Sequence, residues 1–301
     1  MTIHEDIDTR KLMKKKLLTR RNFLYAGAGT LVAGLGAAGY GFGIEPDLVR
    51  IREEELIVPG LAPVFQGLRV IQLTDIHYQK GNDQSLMEKV VETVQRANAD
   101  LILHTGDYLA RDTHSLPELT PYFQEMSKGT ESFAILGNHD RWHGSEKLFQ
   151  QFFRETGIEL LINQSRVVQK GGESLSIVGL DSAWGGFPDI EKAYKGVRQE
   201  QAAITLMHEP DYFDEIRKHR QSICQLSGHT HGGQCRVPLV KYAPVTVKYG
   251  KKYIDGHFSH GENQRVFVSA GLGTTGLRVR FGCPPEVVVH TLRTGSTLTS
   301  S

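Results

Sequence analysis

Cysteine is scarce in this chain: three residues, Cys224, Cys235 and Cys283, among 301, with no C-x-x-C pair. A disulfide framework needs more cysteines than that, and a structural thiolate zinc site needs paired ones. The three are expected to pack as small hydrophobes, and a single bridge between two of them stays open. A basic body is lacking too. Net charge is +1, but residues 1–21 hold seven Lys/Arg (Arg10, Lys11, Lys14, Lys15, Lys16, Arg20, Arg21) against three acids (Glu5, Asp6, Asp8), which leaves 28 bases and 31 acids over the rest. Nucleic-acid binders carry a basic face or body, so no nucleic-acid partner is expected. No internal repeat and no low-complexity linker divides the chain. With 39% hydrophobic and 23% charged residues, it has the make-up of a globular protein with a sizeable core. Its length allows one large domain or two small ones.

Charge is also missing from a run near the start, Phe23 to Ile44, which is rich in Gly and Ala and follows the residues TRRNFL at 19–24. Basic residues and then an apolar stretch is the layout of a targeting segment rather than of a fold. The paired Arg20 and Arg21 resemble a twin-arginine signal, the route for folded proteins across the bacterial membrane, with its export machinery as partner. The run is long enough to span a bilayer, its glycines weaken a stable span, and no small-x-small cleavage site follows. Residues 1–45 therefore read as an export signal, removed or kept as a membrane anchor. The protein is then periplasmic, extracytoplasmic or membrane-associated.

Beyond residue 50 the pattern alternates. LRVIQLTDIH (68–77) is an apolar run that ends at Asp75 and His77. Leu86, Val90, Val91, Val94 and Ala97 then recur at helical spacing, and ADLILHTGDYLAR (99–111) is a second buried strand ending at Gly106-Asp107. Such a βαβ unit makes its two strands parallel and covered on both faces. SFAILGNHDRW (132–142) leads to Asn138, His139 and Asp140, AAITLMHEPD (202–211) to His208, and SICQLSGHTH (222–231) to His229 and His231. LSIVGLDS (175–182), RVFVSAGLG (265–273) and EVVVHTL (286–292) are further strands. Five strands ending in polar residues is the informative regularity, because in open α/β sheets the ligand crevice lies beyond the carboxyl ends of the strands.

Collected, Asp75, His77, Asp107, Asn138, His139, His208, His229 and His231 form an oxygen and nitrogen set without thiolate. That set suits divalent ions such as Mn, Fe or Zn. On its own the His229/His231 pair fits a surface turn as well as a metal site, but at i and i+2 of an extended or tight segment both rings point one way. A carboxylate such as Asp107 can bridge two ions, and two ions close together clamp the attacking and leaving oxygens of a phosphoryl displacement.

In order, D-x-H, G-D, G-N-H-D, a lone strand-end His and G-H-T-H resemble the calcineurin-like metallophosphoesterase superfamily over about residues 68–293. The resemblance implies a four-layer α/β/β/α sandwich with two mixed sheets, a phosphoesterase domain at 46–301 and two divalent metal ions. One ion would be held by Asp75, His77, Asp107 and His231, the other by Asp107, Asn138, His208 and His229. His139 would stand at the phosphoryl group as general acid or charge stabiliser, with Asp140 holding its ring. The Ser/Thr phosphatase branch has a second Asp after G-D, followed by Arg; here GDYLAR places Ala110 there, which argues against protein-phosphatase activity. The leader, GNHDRWHG, GHTHGGQCRVPLV and GLGTTGLRVRFGCPPEV are similar instead to the small exported or membrane-associated bacterial branch. That branch includes pyrophosphatases acting on UDP-2,3-diacylglucosamine, a lipid A precursor.

The expected activity is hydrolysis of a phosphodiester or pyrophosphate bond, including that of a lipid-linked substrate such as UDP-2,3-diacylglucosamine. A phosphomonoesterase or nucleotidase is the rival within enzymes. A non-catalytic scaffold with this fold is the rival outside them, and it should lack ligands that are all present here. The Lys/Tyr run KYAPVTVKYGKKY (241–253) reads as a solvated loop or as a rim that meets lipid headgroups. GLGTTG (271–276) lacks the dinucleotide-loop fingerprint and reads as a turn near the site. His4, His104, His114, His143, His219, His257, His260 and His290 receive no role.

Overall fold

A computed structural model describes residues 20–81, 83–236 and 243–295. Most of the leader's basic residues, and Lys241 and Tyr242 of the Lys/Tyr run, lie outside the described residues. The chain divides between Tyr40 and Gly41 into a short unit and a large one. Helix α1 (Arg20–Gly43) is long and apolar enough to cross a membrane by length and composition. From Gly41 on, the chain is fastened to the large unit. The Arg280 N–H donates to the Gly41 carbonyl at 3.0 Å, and the buried Glu45 carboxylate accepts from the N–H groups of Gly282 and Cys283.

The large unit then runs β1 (Arg50–Val58), β2 (Arg69–Leu73), α2 (Gln84–Ala97), β3 (Leu101–His104), α3 (Leu116–Ser127), β4 (Glu131–Ala134), α4 (Asn138–His143), α5 (Glu146–Thr156), β5 (Glu159–Leu160), β6 (Gln164–Lys170), β7 (Glu173–Gly179), α6 (Ile190–Ala193), β8 (Ala203–Leu206), α7 (Phe213–His219), β9 (Ile223–Ser227), β10 (Gly256–His260), β11 (Gln264–Val268) and β12 (Glu286–Thr294). Two six-stranded sheets result, ordered β1-β12-β2-β3-β4-β5 and β10-β11-β9-β8-β7-β6. Each is mixed. β12 runs antiparallel to β2 in the first, β10 and β6 run antiparallel to their neighbours in the second, and the remaining pairs are parallel.

Three apolar layers hold four layers of structure together. Helix α2 buries Leu86, Met87, Val90, Val94 and Ala97 along one face, the spacing of an amphipathic helix. With Phe123 of α3 and Phe149 and Phe153 of α5, that face covers Ile71, Ile102 and Val289 of the first sheet. Val70, Leu103, Phe133 and Val288 on the other face of that sheet meet Ile177, Ile204, Leu226 and Phe267 of the second. Ile190 and Ala193 of α6, with Phe213 and Ile216 of α7, cover the outer face of the second sheet at Val178, Ala203 and Val266. The α/β/β/α sandwich follows from the sequence in a direct way: the central strands are apolar on both faces, so each sheet must be covered twice.

The parallel pairing of β2 and β3 around α2 is as the sequence pattern implies. The strands are shorter than their apolar runs, however. β2 stops at Leu73 because Asp75 and His77 have φ of 52° and 45°, left-handed values that no strand residue adopts. Four strands carry no signal that the sequence reading used: β1, with five charged residues in nine, the two-residue β5, and the polar edges β6 and β10. All three cysteines are free thiols, with Cys224 and Cys283 buried, so no bridge forms and packing accounts for them.

Candidate active site

Five loops leave the carboxyl ends of β2, β3, β4, β8 and β9 and meet at one point. The sequence places a glycine where the approach is closest. Gly106 has φ of 96°, and a Cβ there would lie 2.5 Å from the Gly137 nitrogen, so the β3 and β4 loops pack backbone on backbone. Five of the seven candidate ligands, Asp75, His77, Asp107, His229 and His231, have positive φ, out of nine such non-glycine residues among those described. Each costs on the order of 1–3 kcal/mol that the surrounding fold must absorb. Strain gathered this way is a mark of function.

The atoms facing inward are buried and close. Asp107 Oδ2 lies 3.4 Å from His77 Nε2 and 3.1 Å from His208 Nε2, and Asp75 Oδ1 lies 3.3 Å from His231 Nε2 and 3.8 Å from His77 Nε2. Both ring nitrogens of His77 and of His231, and Oδ1 of Asn138, are buried without a hydrogen-bond partner. Buried polar atoms left bare cost about 1–3 kcal/mol each. The remaining ligand atoms are fixed from behind. Asp75 Oδ2 accepts from the Thr74 hydroxyl at 2.7 Å and the His229 N–H at 2.8 Å, while Asp107 Oδ1 accepts from the His139 N–H at 2.9 Å. Asp107 thus keeps Oδ1 tied and turns Oδ2 inward, while Asp75 Oδ1 faces His231 and His77 and shares the His229 N–H at 3.0 Å.

Two of the histidines are fixed in orientation by backbone carbonyls. His208 Nδ1 faces the Thr105 carbonyl at 2.7 Å, and His229 Nε2 faces the Lys248 carbonyl at 2.7 Å. A carbonyl only accepts, so both of those nitrogens carry the proton. The other two, His208 Nε2 and His229 Nδ1, sit 3.2 Å apart, with Asp107 Oδ2 3.1 Å from His208 Nε2, and either a proton on His208 or a bound cation satisfies them. Backbone carbonyls behind histidines are the usual support of metal-ligating imidazoles, and separations of ~3.0–3.4 Å are those of neighbouring ligands about an ion with bonds near ~2.1 Å. The residues therefore fit a metal. Three groups can each hold one: Asp75, His77 and His231; Asp107, His208 and His229; and His77, Asp107 and His139.

The local electrostatics favour a cation as well. Burial would raise the Asp75 and Asp107 carboxyls, but His231 and His77 beside the first, and His208 beside the second, hold both below the usual carboxylate range. Burial pulls His208 down, yet the Asp107 carboxylate beside it holds it well above an ordinary histidine. His231 is pushed to about 3 by burial, and His229 is lowered by burial and by the nearby His208, so these two present free lone pairs.

His139 stands beside the cluster, its ring edge-on to His77 at 4.6 Å, with Nδ1 donating to the Ala110 carbonyl at 2.8 Å. The expectation that Asp140 holds this ring is corrected here. Asp140 is fully buried and accepts from the N–H groups of Asp107, Tyr108 and Gly137 at 2.8–2.9 Å. Adjacent residues on a helix do not face each other, so Asp140 points back and clamps the β3 and β4 loops together. Burial and the Asp107 charge push it up to about 7 despite those three donors.

In its described part the Lys/Tyr run is a loop with Lys248, Lys251 and Lys252 exposed, as one of the two readings expects, and it is tied down on its inner side. Asp211 accepts from the N–H groups of Lys251, Lys252 and Tyr253, Lys252 pairs with Asp214, Tyr253 is buried, and the Lys248 carbonyl holds His229. GLGTTG is the turn beside the site that the sequence suggests: Leu272 and Gly273 donate to the Thr74 and Asp75 carbonyls. Sequence reading did not find Arg280. This fully buried guanidinium donates to the carbonyls of Ala270, Gly271, Gly273 and Cys283 and so holds the turn behind Asp75. Nothing in VRF sets it apart from Arg278. Of the histidines without a role, His104 stacks on Phe123 and His290 bonds Gln72, both buried.

The calcineurin-like phosphoesterase family model matches residues 68–233. Bacillus subtilis YkuE, a metallophosphoesterase, is 30% identical over 92% of this chain and 99% of its own length. The phosphodiesterase YaeI of Escherichia coli is 31% identical over 91% and 98%. A UDP-2,3-diacylglucosamine pyrophosphatase of Chlamydia trachomatis is 26% identical over 81% and 89%.

The left-handed backbone at His229 (φ 74°) yields a direct test. Without metal, His229→Gly should be more stable than His229→Ala by about 1–2 kcal/mol, the cost of an L residue in that region. Equal denaturation midpoints for the two variants would mean the loop relaxes and holds no strain.

Proposed function

This chain belongs to the calcineurin-like phosphoesterase family, and from that premise we propose a hydrolase that cleaves a phosphodiester or pyrophosphate bond with two divalent ions. The convergence of His208 Nε2 and His229 Nδ1 beside Asp107, with Asp75, His77 and His231 gathered next to them, is the observation that carries the reading. Asp75, His77, Asp107 and His231 would hold one ion, and Asp107, Asn138, His208 and His229 the other. Mn, Fe and Zn all suit this mixed set. Two such ions, when bound, supply Lewis-acid charge at the phosphoryl oxygens and acidify an attacking water.

The chain's own residues do the rest. Thr74, the His229 N–H and the Arg280-braced turn fix Asp75, and the Thr105 and Lys248 carbonyls fix the tautomers of His208 and His229. His139, with Nδ1 committed to Ala110, turns Nε2 to the reacting group. There it gives a proton to the leaving oxygen or stabilises the charge developing on it. Ala110 stands where a protein phosphatase carries Asp, and its carbonyl orients the ring without adding charge.

The phosphodiesterase and pyrophosphatase names among the relatives favour a diester or anhydride over a monoester. The apolar helix near the N-terminus, behind paired arginines, supports export by the twin-arginine route and a membrane-held or periplasmic enzyme. A lipid-linked substrate such as UDP-2,3-diacylglucosamine fits a membrane-held form. Basic residues before a span favour an inward N-terminus, which puts the domain outside. Protease added to intact spheroplasts should then degrade the domain; full protection would contradict an outward-facing enzyme.

His139 separates chemistry from metal binding. His139→Ala should keep its metal and lose turnover by a factor of order 10²–10⁴, the worth of one acid–base group, whereas His229→Ala should lose metal and activity together. Metal analysis alongside diester hydrolysis checks this. Loss of metal from His139→Ala would overturn the division of roles.

A further inference from the structure

The chain has two tryptophans, and both stand against histidines of the site. Trp142, in the last part of α4, lies 5.1 Å from the His139 ring, and Trp184 meets the His229 ring edge-on at 5.7 Å. The two indoles pack edge to face, 4.7 Å apart at 82°. They form one wall that runs from the candidate proton donor to the candidate second metal pocket.

The wall is built rigidly. Glu209, fully buried next to His208, accepts from the N–H groups of Ala183 and Trp184. Asp181 accepts from the Phe187 N–H and from Arg141 Nε, one residue before Trp142. A Cβ on Gly185 would lie 2.8 Å from the Arg141 Cβ, so the loop bearing Trp184 is pressed onto α4. Core packing does not explain the arrangement, because Trp142 is 45% exposed. The surroundings are mixed: Arg141 pairs with Asp181 and Glu146, and Phe187 of the Trp184 loop is 87% exposed. A planar ring can stack on an indole and keep its polar edges in water beside these charged groups. Base–aromatic stacking is tolerant of which base is present.

We propose that Trp142 and Trp184 form an aromatic subsite that receives the base of a nucleotide-bearing phosphoester, beside the bond to be cleaved. The proposal rests on the phosphoesterase reading above and assigns the residues that would hold the nucleotide part of such a substrate.

Indole emission tests it without turnover, since no other tryptophan contributes. Full-length, metal-loaded protein is titrated with uridine monophosphate and, separately, with ribose phosphate, exciting beyond the absorption of the base. Uridine monophosphate should quench to saturation and ribose phosphate should not. Trp142→Leu, read through Trp184, should weaken uridine monophosphate binding roughly ten- to a hundredfold, and Trp142→Phe should restore most of it. If the Leu variant misfolds, Trp184→Leu read through Trp142 carries the comparison, with the same expected weakening and with Trp184→Phe restoring most of it. Equal responses to the two ligands, or unchanged affinity in Trp142→Leu, would overturn the subsite. So would a blue shift on phosphatidylglycerol vesicles with no response to nucleotide, which would assign the indoles to a lipid surface. Turnover of a ring-free phosphodiester is measured alongside. Protein that is quenched by nucleotide yet inert toward diesters keeps the subsite and loses the phosphoesterase reading; protein that is active but unquenched loses the subsite alone.

Discussion

The structure turns on a buried cluster of carboxylates and imidazoles that converge on Asp107. Asp107 Oδ2 sits between the nitrogens of His77 and His208, and His208 Nε2 lies 3.2 Å from His229 Nδ1. All four residues are buried, so charge at the point where they meet is weakly screened. The fold tolerates the arrangement because Asp75, Asp107, His208 and His229 are held from behind by groups that are not themselves ligand atoms: the Thr74 hydroxyl, the His139 N–H, the carbonyls of Thr105 and Lys248, and backbone braced by Arg280 and Asp140. A site assembled this way is preorganised for cations and unfavourable without them.

The same demand shapes the backbone. To turn side chains from two separate sheets inward at one spot, the loops after β2, β3 and β9 leave the strand region abruptly, and five candidate ligands take left-handed φ. Three apolar layers absorb that cost. The packing of Val70, Leu103 and Phe133 against Ile177, Ile204 and Leu226 fixes how far apart the two sheets stand, and with it the spacing of their loop ends. Strand burial and metal geometry are therefore one problem.

Much of this was legible in the sequence. Apolar runs ending in Asp or His gave five loops and their common edge, and the D-x-H, G-D, G-N-H-D and G-H-T-H spacings gave the residues that meet there. What stayed hidden is what acts through the main chain or through distant partners. Asp140 looked like a support for its neighbour His139 and instead clamps two loops, because helix geometry turns adjacent side chains apart. The carbonyls of Ala110, Thr105 and Lys248 leave no trace in residue type. Arg280 reads like any arginine until its four carbonyl partners are seen. Edge strands β1, β6 and β10 were hidden for another reason: half-exposed strands have polar sequences that match no buried pattern.

The central proposal is that Asp107 would serve two ions at once. Electron paramagnetic resonance of the manganese-loaded protein tests it most directly, since ions that share a bridging ligand couple their spins and separated ions do not. The account predicts an exchange-coupled pair in the native protein and its replacement by isolated-ion signals in Asp107→Asn. A native spectrum of uncoupled, mononuclear manganese at full loading would contradict it.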